Sequence, residues 1–274
     1  MINIIQVDSV DHPELTFYKT LRMTTEHLKK RVFVSESEKV VHRLLLSHIE
    51  IISILLTPEW FSKFKELIER RKEKITVYLA EKKLMEKIVG FNLHQGIMAL
   101  AKIPSSKTIE AVLKDSTEPY LFVAIDGLTN SENVGNVVRN CAAFGVNTIL
   151  VGETSSSPYL RRAVRNSMGA IFKINIIHCQ NLYNTLLNLK DHGFKIIGAH
   201  PHEERIRVEN TNFTENCCIV FGSEGYGISP AILSICNITV SIQMENDIDS
   251  FNVASASAVF LYEVYRQRKA KKII

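Results

Sequence analysis

The 32 residues from Leu121 to Gly152, LFVAIDGLTNSENVGNVVRNCAAFGVNTILVG, spell out a strand, a polar turn, a helix and a second strand. Leu121 to Ile125 is an unbroken apolar run, the pattern of a strand covered on both faces, and Asp126 stands where it ends. Asn130, Ser131, Glu132 and Asn133 supply helix-start chemistry. Val137, Val138, Cys141 and Phe144 then recur at helical spacing, with Asn136, Arg139 and Asn140 on the other side, so Arg139 serves something other than the core. Gly145 is placed to end the helix in the left-handed conformation, and Thr148 to Val151 begins the next buried strand. The unit is β-α-β. Such units build parallel sheets whose carboxyl ends bind ligands.

At 274 residues the chain has room for one large or two ordinary domains, and 46% hydrophobic with 23% charged residues describes a soluble globular protein. The amino terminus lacks a basic region followed by an apolar core, so no signal peptide is expected. Leu44 to Leu56 is interrupted by His48 and Glu50 and is too short to span a bilayer. A cytoplasmic protein with no membrane partner is expected. Cys141, Cys179, Cys217, Cys218 and Cys236 form no C-x-x-C pair and lie mostly in apolar segments, which suits reduced structural thiols. His200, His202, Glu203 and Glu204 match no standard metal spacing, and no metal is assigned. The net charge of +4 sits entirely in residues 1–110, with 18 Lys and Arg against 14 Asp and Glu, whereas 111–274 hold 15 of each. That excess favours a polyanion-binding face in the first part, although a solvated surface also accounts for it.

Before residue 104, helices are expected over Phe17–Lys30, Glu38–Ser47 and Phe61–Glu73, with strands over Arg31–Val34, Ile49–Leu56 and Thr76–Ala80, then a charged helix and the segment Gly96–Lys102. This is a small α/β domain. The polar stretch from Pro104 to Glu118 marks the boundary, giving domains 1–110 and 111–274. Beyond the central unit, helices are expected over Ser155–Met168, Leu182–His192, Ser229–Ile235 and from about Asn252 to Lys269, and strands over Lys195–Ala199, Ile219–Phe221 and Ile238–Met244. The loop from His200 to Asn216 is long enough to suggest function. Gly222, Gly225 and Gly227 follow a strand and would let backbone approach a ligand closely, with Glu224 between them. No G-x-G-x-x-G is present, which disfavours an ordinary dinucleotide fold.

Three segments in order, DGLTNSENVGNVVRNCAAFGV (Asp126–Val146), IVFGSEGYGIS (Ile219–Ser229) and SIQMENDIDSFNVASASAVFLYEVYRQR (Ser241–Arg268), resemble motifs 1, 2 and 3 of the SpoU (TrmH-like) RNA 2'-O-ribose methyltransferases. RNSMGAIF (Arg165–Phe172) resembles the stretch between the first two, while FVSESEKVVHRLL and HQGIMALAKIP are similar to the L30e-like substrate-binding domain often fused in front.

The resemblance implies an α/β fold with a parallel sheet and a deep carboxy-terminal trefoil knot, which sequence physics alone would not suggest. It implies S-adenosylmethionine as cofactor, held at Ala199, Gly222, Ile242 and Phe251 largely through backbone groups. It places Arg139 as the catalytic arginine, held by Glu224 and Asn252, with Asn133 and Ser250 completing the set. Gln243 stands where the family usually has proline and Phe251 where it has leucine, so the adenine pocket should differ in shape. The implied partners are an RNA substrate, with 23S ribosomal RNA favoured over tRNA, and a second copy of the chain, the small-residue start of the last helix being suited to close packing. A catalytically silent RNA-binding protein on the same fold is the alternative from another class.

Overall fold

The computed structural model describes residues 2–93, 95–115, 117–201, 206–246 and 248–271. They form two compact units: Met1–Ser105 with Tyr159–Phe172, and Ser106–Pro158 with Lys173–Ile274.

The amino-terminal unit holds β1 (Ile2–Gln6), α1 (Thr16–Lys19), α2 (Thr24–Lys29), β2 (Val32–Glu36), α3 (Glu38–Leu45), β3 (Ile51–Leu56), α4 (Pro58–Glu69), β4 (Ile75–Leu79), α5 (Lys82–Val89) and β5 (Ile97–Lys102). Its five-stranded sheet has the order β1-β4-β3-β5-β2. β1, β4 and β3 run parallel, and β5 runs antiparallel to β3 and β2. All five residues of the edge strand β2 are buried. The return segment Tyr159–Phe172 packs beside it: Phe33 meets the rings of Tyr159 and Phe172 at 5.4 and 5.9 Å, and the Glu36 carboxylate accepts from Arg161 at 2.7 Å and Arg165 at 3.1 Å. A segment that lies between two stretches of the second unit in sequence thus belongs to the first in space. A buried carboxylate needs such partners, and the two arginines supply them.

The carboxy-terminal unit holds α6 (Ile109–Lys114), β6 (Leu121–Ile125), α7 (Ser131–Ala143) and β7 (Thr148–Val151); α8 (Arg161–Asn166) follows inside the return segment, then come β8 (Asn175–His178), α9 (Leu182–Asp191), β9 (Lys195–Ala199), β10 (Cys217–Phe221), α10 (Pro230–Ile235), β11 (Ile238–Val240) and α11 (Val253–Ala270). Six parallel strands lie in the order β11-β9-β10-β6-β7-β8. The fully buried run Leu121–Ile125 takes a central place, paired with β10 on one side and β7 on the other. On one face Phe122, Leu150, Phe194 and Val220 share a core with Leu186, Leu189 and Ile232 of α9 and α10. α7 and α11 pack against each other, with Phe144, just after α7, meeting the rings of Tyr262 and Tyr265 of α11 at 6.2 and 6.1 Å.

Several elements depart from the sequence expectation. The helix expected over Phe17–Lys30 is broken into α1 and α2, because Thr20 sends its hydroxyl back to the Thr16 carbonyl at 2.9 Å and Met23 N closes a turn on Thr20 O. The helix expected from Ser155 begins at Arg161. Ser155 and Ser156 stay in the loop, where their hydroxyls donate to Ile125 O at 3.0 Å and Thr129 O at 2.5 Å. β11 stops at Val240 rather than running to Met244. β1, α6 and β8 carry no pattern strong enough to be read beforehand. All five cysteines are free, four of them buried. Burial pushes the Cys179, Cys217 and Cys236 thiols up to about 11, and Cys141 and Cys218 higher still, so all stay protonated and unreactive near neutrality.

Candidate active site

α7 is set by its first turn: the Asn130 side chain accepts from Glu132 N at 2.8 Å and Asn133 N at 3.3 Å. Gly145 follows the helix at φ +81°, the left-handed region. Asp126, at the end of β6, is 9% exposed and takes the backbone N–H of Ser229 at 2.7 Å. This bond ties the first strand's end to the glycine-rich turn after β10. No role had been assigned to Asp126 from sequence.

The glycines of that turn also answer to the chain's own geometry. A Cβ on Gly222 would lie 2.1 Å from Gly227 C and 2.2 Å from Ile228 N, so Gly222 is required by the chain's own return. Gly227 has φ +67°, and a Cβ on Gly225 would meet nothing within 4 Å. Ser223 and Gly227 exchange both backbone hydrogen bonds, at 2.9 and 3.0 Å, closing a tight loop with Glu224 at its tip.

Beside this turn the carboxyl ends of β11, β9 and β10 lie next to one another, and the chain leaving each lines one pocket. The pocket is open to solvent and encloses about 500 Å³ including its mouth. Ala199 and His200 come from the end of β9, Phe221 and Gly222 from β10, Ile242 and Met244 from beyond β11, and Ser250 and Phe251 from the loop before α11. Ala256 and Phe260 of α11 close one wall. Gln243 accepts from Arg207 and donates to Glu245 at 3.2 Å, which fastens the segment carrying Ile242 and Met244. Apolar walls with strand-end backbone groups and few charges suit a flat heterocycle recognised through main-chain atoms, and the residues present fit an adenosyl group.

A second set adjoins it. Asn133 donates through Nδ2 to Glu224 at 2.7 Å and accepts from Asn252 at 3.3 Å, while Asn252 also caps α11 by accepting from Ala254 N at 2.8 Å. Asn133, Glu224 and Asn252 therefore form one chain of hydrogen bonds linking all three motifs. Arg139 lies six residues further along α7, about 9 Å along the axis and about 120° around it from Asn133. It is exposed and forms no hydrogen bond or ion pair among the described residues. Within the chain Glu224 and Asn252 thus hold Asn133, where Arg139 was expected as their partner. Asn140 also differs from expectation: it is half-buried and donates to Ala254 O at 2.7 Å and Ser257 Oγ at 2.9 Å. Of the small residues at the start of α11, Ser257 is buried within the chain.

His202, Glu203 and Glu204 lie outside the described residues, and among those described no group of three or more His, Cys, Asp or Glu is arranged for a metal. No helix among them is long and apolar enough to cross a membrane.

The fold is a parallel α/β unit with a pocket at adjoining strand ends, together with a second, smaller α/β unit, an arrangement open to many chemistries. Residues 120–262 match the SpoU rRNA Methylase family, and residues 38–106 match the domain described as RNA 2'-O ribose methyltransferase substrate binding. The 23S rRNA (guanosine-2'-O-)-methyltransferase RlmB of Acinetobacter baylyi is 31% identical over 198 residues, covering 71% of this chain and 79% of that one. An uncharacterized tRNA/rRNA methyltransferase of Mycobacterium bovis is 26% identical over 96% of this chain and 92% of its own. Among solved structures, the SpoU methyltransferase AviRb from Streptomyces viridochromogenes in complex with AdoMet superposes with a TM-score of 0.81 at 19% identity, over 94% of this chain and 100% of that one. An AdoMet-bound rRNA methyltransferase from Sinorhizobium meliloti gives 0.81 at 19%, over 96% and 98%. At such identity these structures establish the fold. The chain belongs to the SpoU rRNA methylase family. It is an S-adenosylmethionine-dependent enzyme that methylates a ribose 2'-hydroxyl of RNA.

Proposed function

We propose that the substrate is ribosomal RNA, with 23S rRNA favoured because the relative from Acinetobacter baylyi carries that activity in its name. The observation that carries the assignment of roles is the pairing of the strand-end pocket with the Asn133–Glu224–Asn252 chain beside it. Ala199, Gly222, Ile242 and Phe251 would hold S-adenosylmethionine. The cofactor supplies an electrophilic methyl group on a sulfonium.

Everything else falls to the protein. The ribose oxygen would be placed in line with the methyl carbon and give its proton to water, the new O–C bond being matched by loss of the methyl's bond to sulfur, which leaves a neutral thioether. A guanidinium stays protonated, so Arg139 anchors a phosphate and stabilises the developing alkoxide. Asn133, locked by Glu224 and Asn252, and Ser250 at the pocket wall present neutral polar groups to the nucleotide. The knot implied by the resemblance belongs to this reading.

Arg139 stands apart from the Asn133 chain within one protomer, which supports an active site completed by a second copy. α11 presents Val259 and Tyr262, 37% and 56% exposed, next to the half-buried Phe144. A homodimer joined on that face would cover these side chains. The amino-terminal unit supplies RNA affinity, and cytoplasmic location follows from the substrate.

The test is transfer of labelled methyl from S-adenosylmethionine to unmodified 23S rRNA and, separately, tRNA, followed by digestion to nucleosides. Label in a 2'-O-methylnucleoside of rRNA is expected. Label only with tRNA would move the substrate assignment, and none with either would favour a silent RNA-binding protein.

A further inference from the structure

The tip of the turn after β10 places one large side chain in solvent. Tyr226 is 97% exposed, although a tyrosine ordinarily buries much of its ring. Its backbone, in contrast, is pinned. Ser223 and Gly227 exchange backbone hydrogen bonds, and Tyr226 N donates to Ser223 Oγ at 3.1 Å. The return strand presses on Gly222, where even a Cβ would collide. The ring therefore stands on rigid backbone, two residues after Glu224 and four after Gly222, which lines the pocket.

Its immediate neighbours decide what can cover it. Glu224, Gly225 and Gly227 carry no apolar side chain, so within the turn Tyr226 is the one large ring offered to solvent, which is less than the contiguous patch a protein interface uses. A single planar face is sufficient for a nucleobase, because every base has a π-face and stacks on an aromatic side chain without regard to sequence. We propose that Tyr226 is the stacking platform for an unpaired base of the RNA at or next to the modified nucleotide, and that this stack fixes the ribose relative to the pocket. The proposal rests on RNA being the substrate. It assigns Tyr226 a positioning role, with no part in the chemistry.

The experiment compares Tyr226→Ala, Tyr226→Leu, Tyr226→Phe and Tyr226→Trp in the full chain, using an unmodified 23S rRNA transcript. Ala and Leu should weaken RNA binding and raise KM for RNA by about tenfold, the scale of losing one base–aromatic stack. Phe and Trp should remain within about twofold of wild type, since the π-face survives. Cofactor affinity and light-scattering mass should be the same in all five proteins. Wild-type RNA affinity in Tyr226→Ala, or rescue by Leu equal to that by Phe, would overturn the stacking role. A changed mass in Tyr226→Ala would also overturn it, by making Tyr226 a contact between copies. If the wild-type protein methylates no RNA at all, the reading beneath the proposal fails with it, and that result is recognised without any variant.

Discussion

Gly222 and Asp126 illustrate how a residue's type can be legible while its reason is not. The glycine-rich turn is plain in the sequence, yet the need for Gly222 comes from the backbone of Gly227 and Ile228 folding back on it. Gly222→Ala should accordingly lower stability by about 3 kcal/mol through overpacking, seen as a reduced denaturant midpoint. Loss of cofactor binding in that variant would say little about the pocket. A cleaner probe is Ala256, which reaches the pocket from the half-buried side of α11. Ala256→Leu should weaken S-adenosylmethionine binding by about tenfold or more in calorimetry, because one overpacked side chain costs about 1–3 kcal/mol. Unchanged affinity would remove the cofactor from this pocket. Asp126 reads from sequence only as a strand end, since its partner, Ser229 N, lies over a hundred residues away in the chain.

At the scale of elements, the apolar runs that became β6, β7, β9 and β10 were legible because a strand buried on both faces has no polar alternation to blur it. β1 was not, since all five of its residues are exposed or half-buried at a sheet edge. The last helix was legible in length but not in its duties. Arg268, only 3% exposed, donates to the carbonyls of Pro119, Tyr120, Phe213 and Glu215. Arg268→Met should destabilise the fold by about 3 kcal/mol or more, because several buried carbonyls lose their donor at once. One turn earlier, the Glu263 carboxylate accepts from Arg266 at 2.7 and 2.8 Å and from Gln267 at 2.7 Å. The Arg266 bonds, aided by Gln267, hold its pKa below the usual glutamate value. A carboxyl lowered by folding stabilises the protein above its unfolded pKa, and that contribution disappears as pH falls through the lower folded value. Glu263→Gln should lose about 1 kcal/mol or less near neutrality, Arg266 being half exposed, and its stability should fall less steeply on acidification below about pH 4.3. An identical acid limb in urea titrations would contradict this.

For the whole molecule, the sequence places a boundary in the polar stretch after Pro104, whereas the first compact unit ends at Ser105 and takes in Tyr159–Phe172, a membership that depends on Glu36 and Phe33 far away in sequence. Glu36→Ala would leave Arg161 and Arg165 without their carboxylate, and a loss of about 3 kcal/mol is expected by thermal or chemical denaturation. RNA binding should weaken as salt rises, because phosphate contacts release counterions. The proposed function has this chain transfer methyl to a ribose oxygen with Arg139 acting at the reacting group. Single-turnover transfer at saturating S-adenosylmethionine and 23S rRNA, wild type against Arg139→Ala, tests it most directly. The wild type should place label on a 2'-oxygen, and Arg139→Ala, folded and still binding cofactor, should react about two to four orders of magnitude more slowly, with lysine a poor substitute for the planar fork. Equal rates in the two proteins, or label recovered on a base, would contradict it.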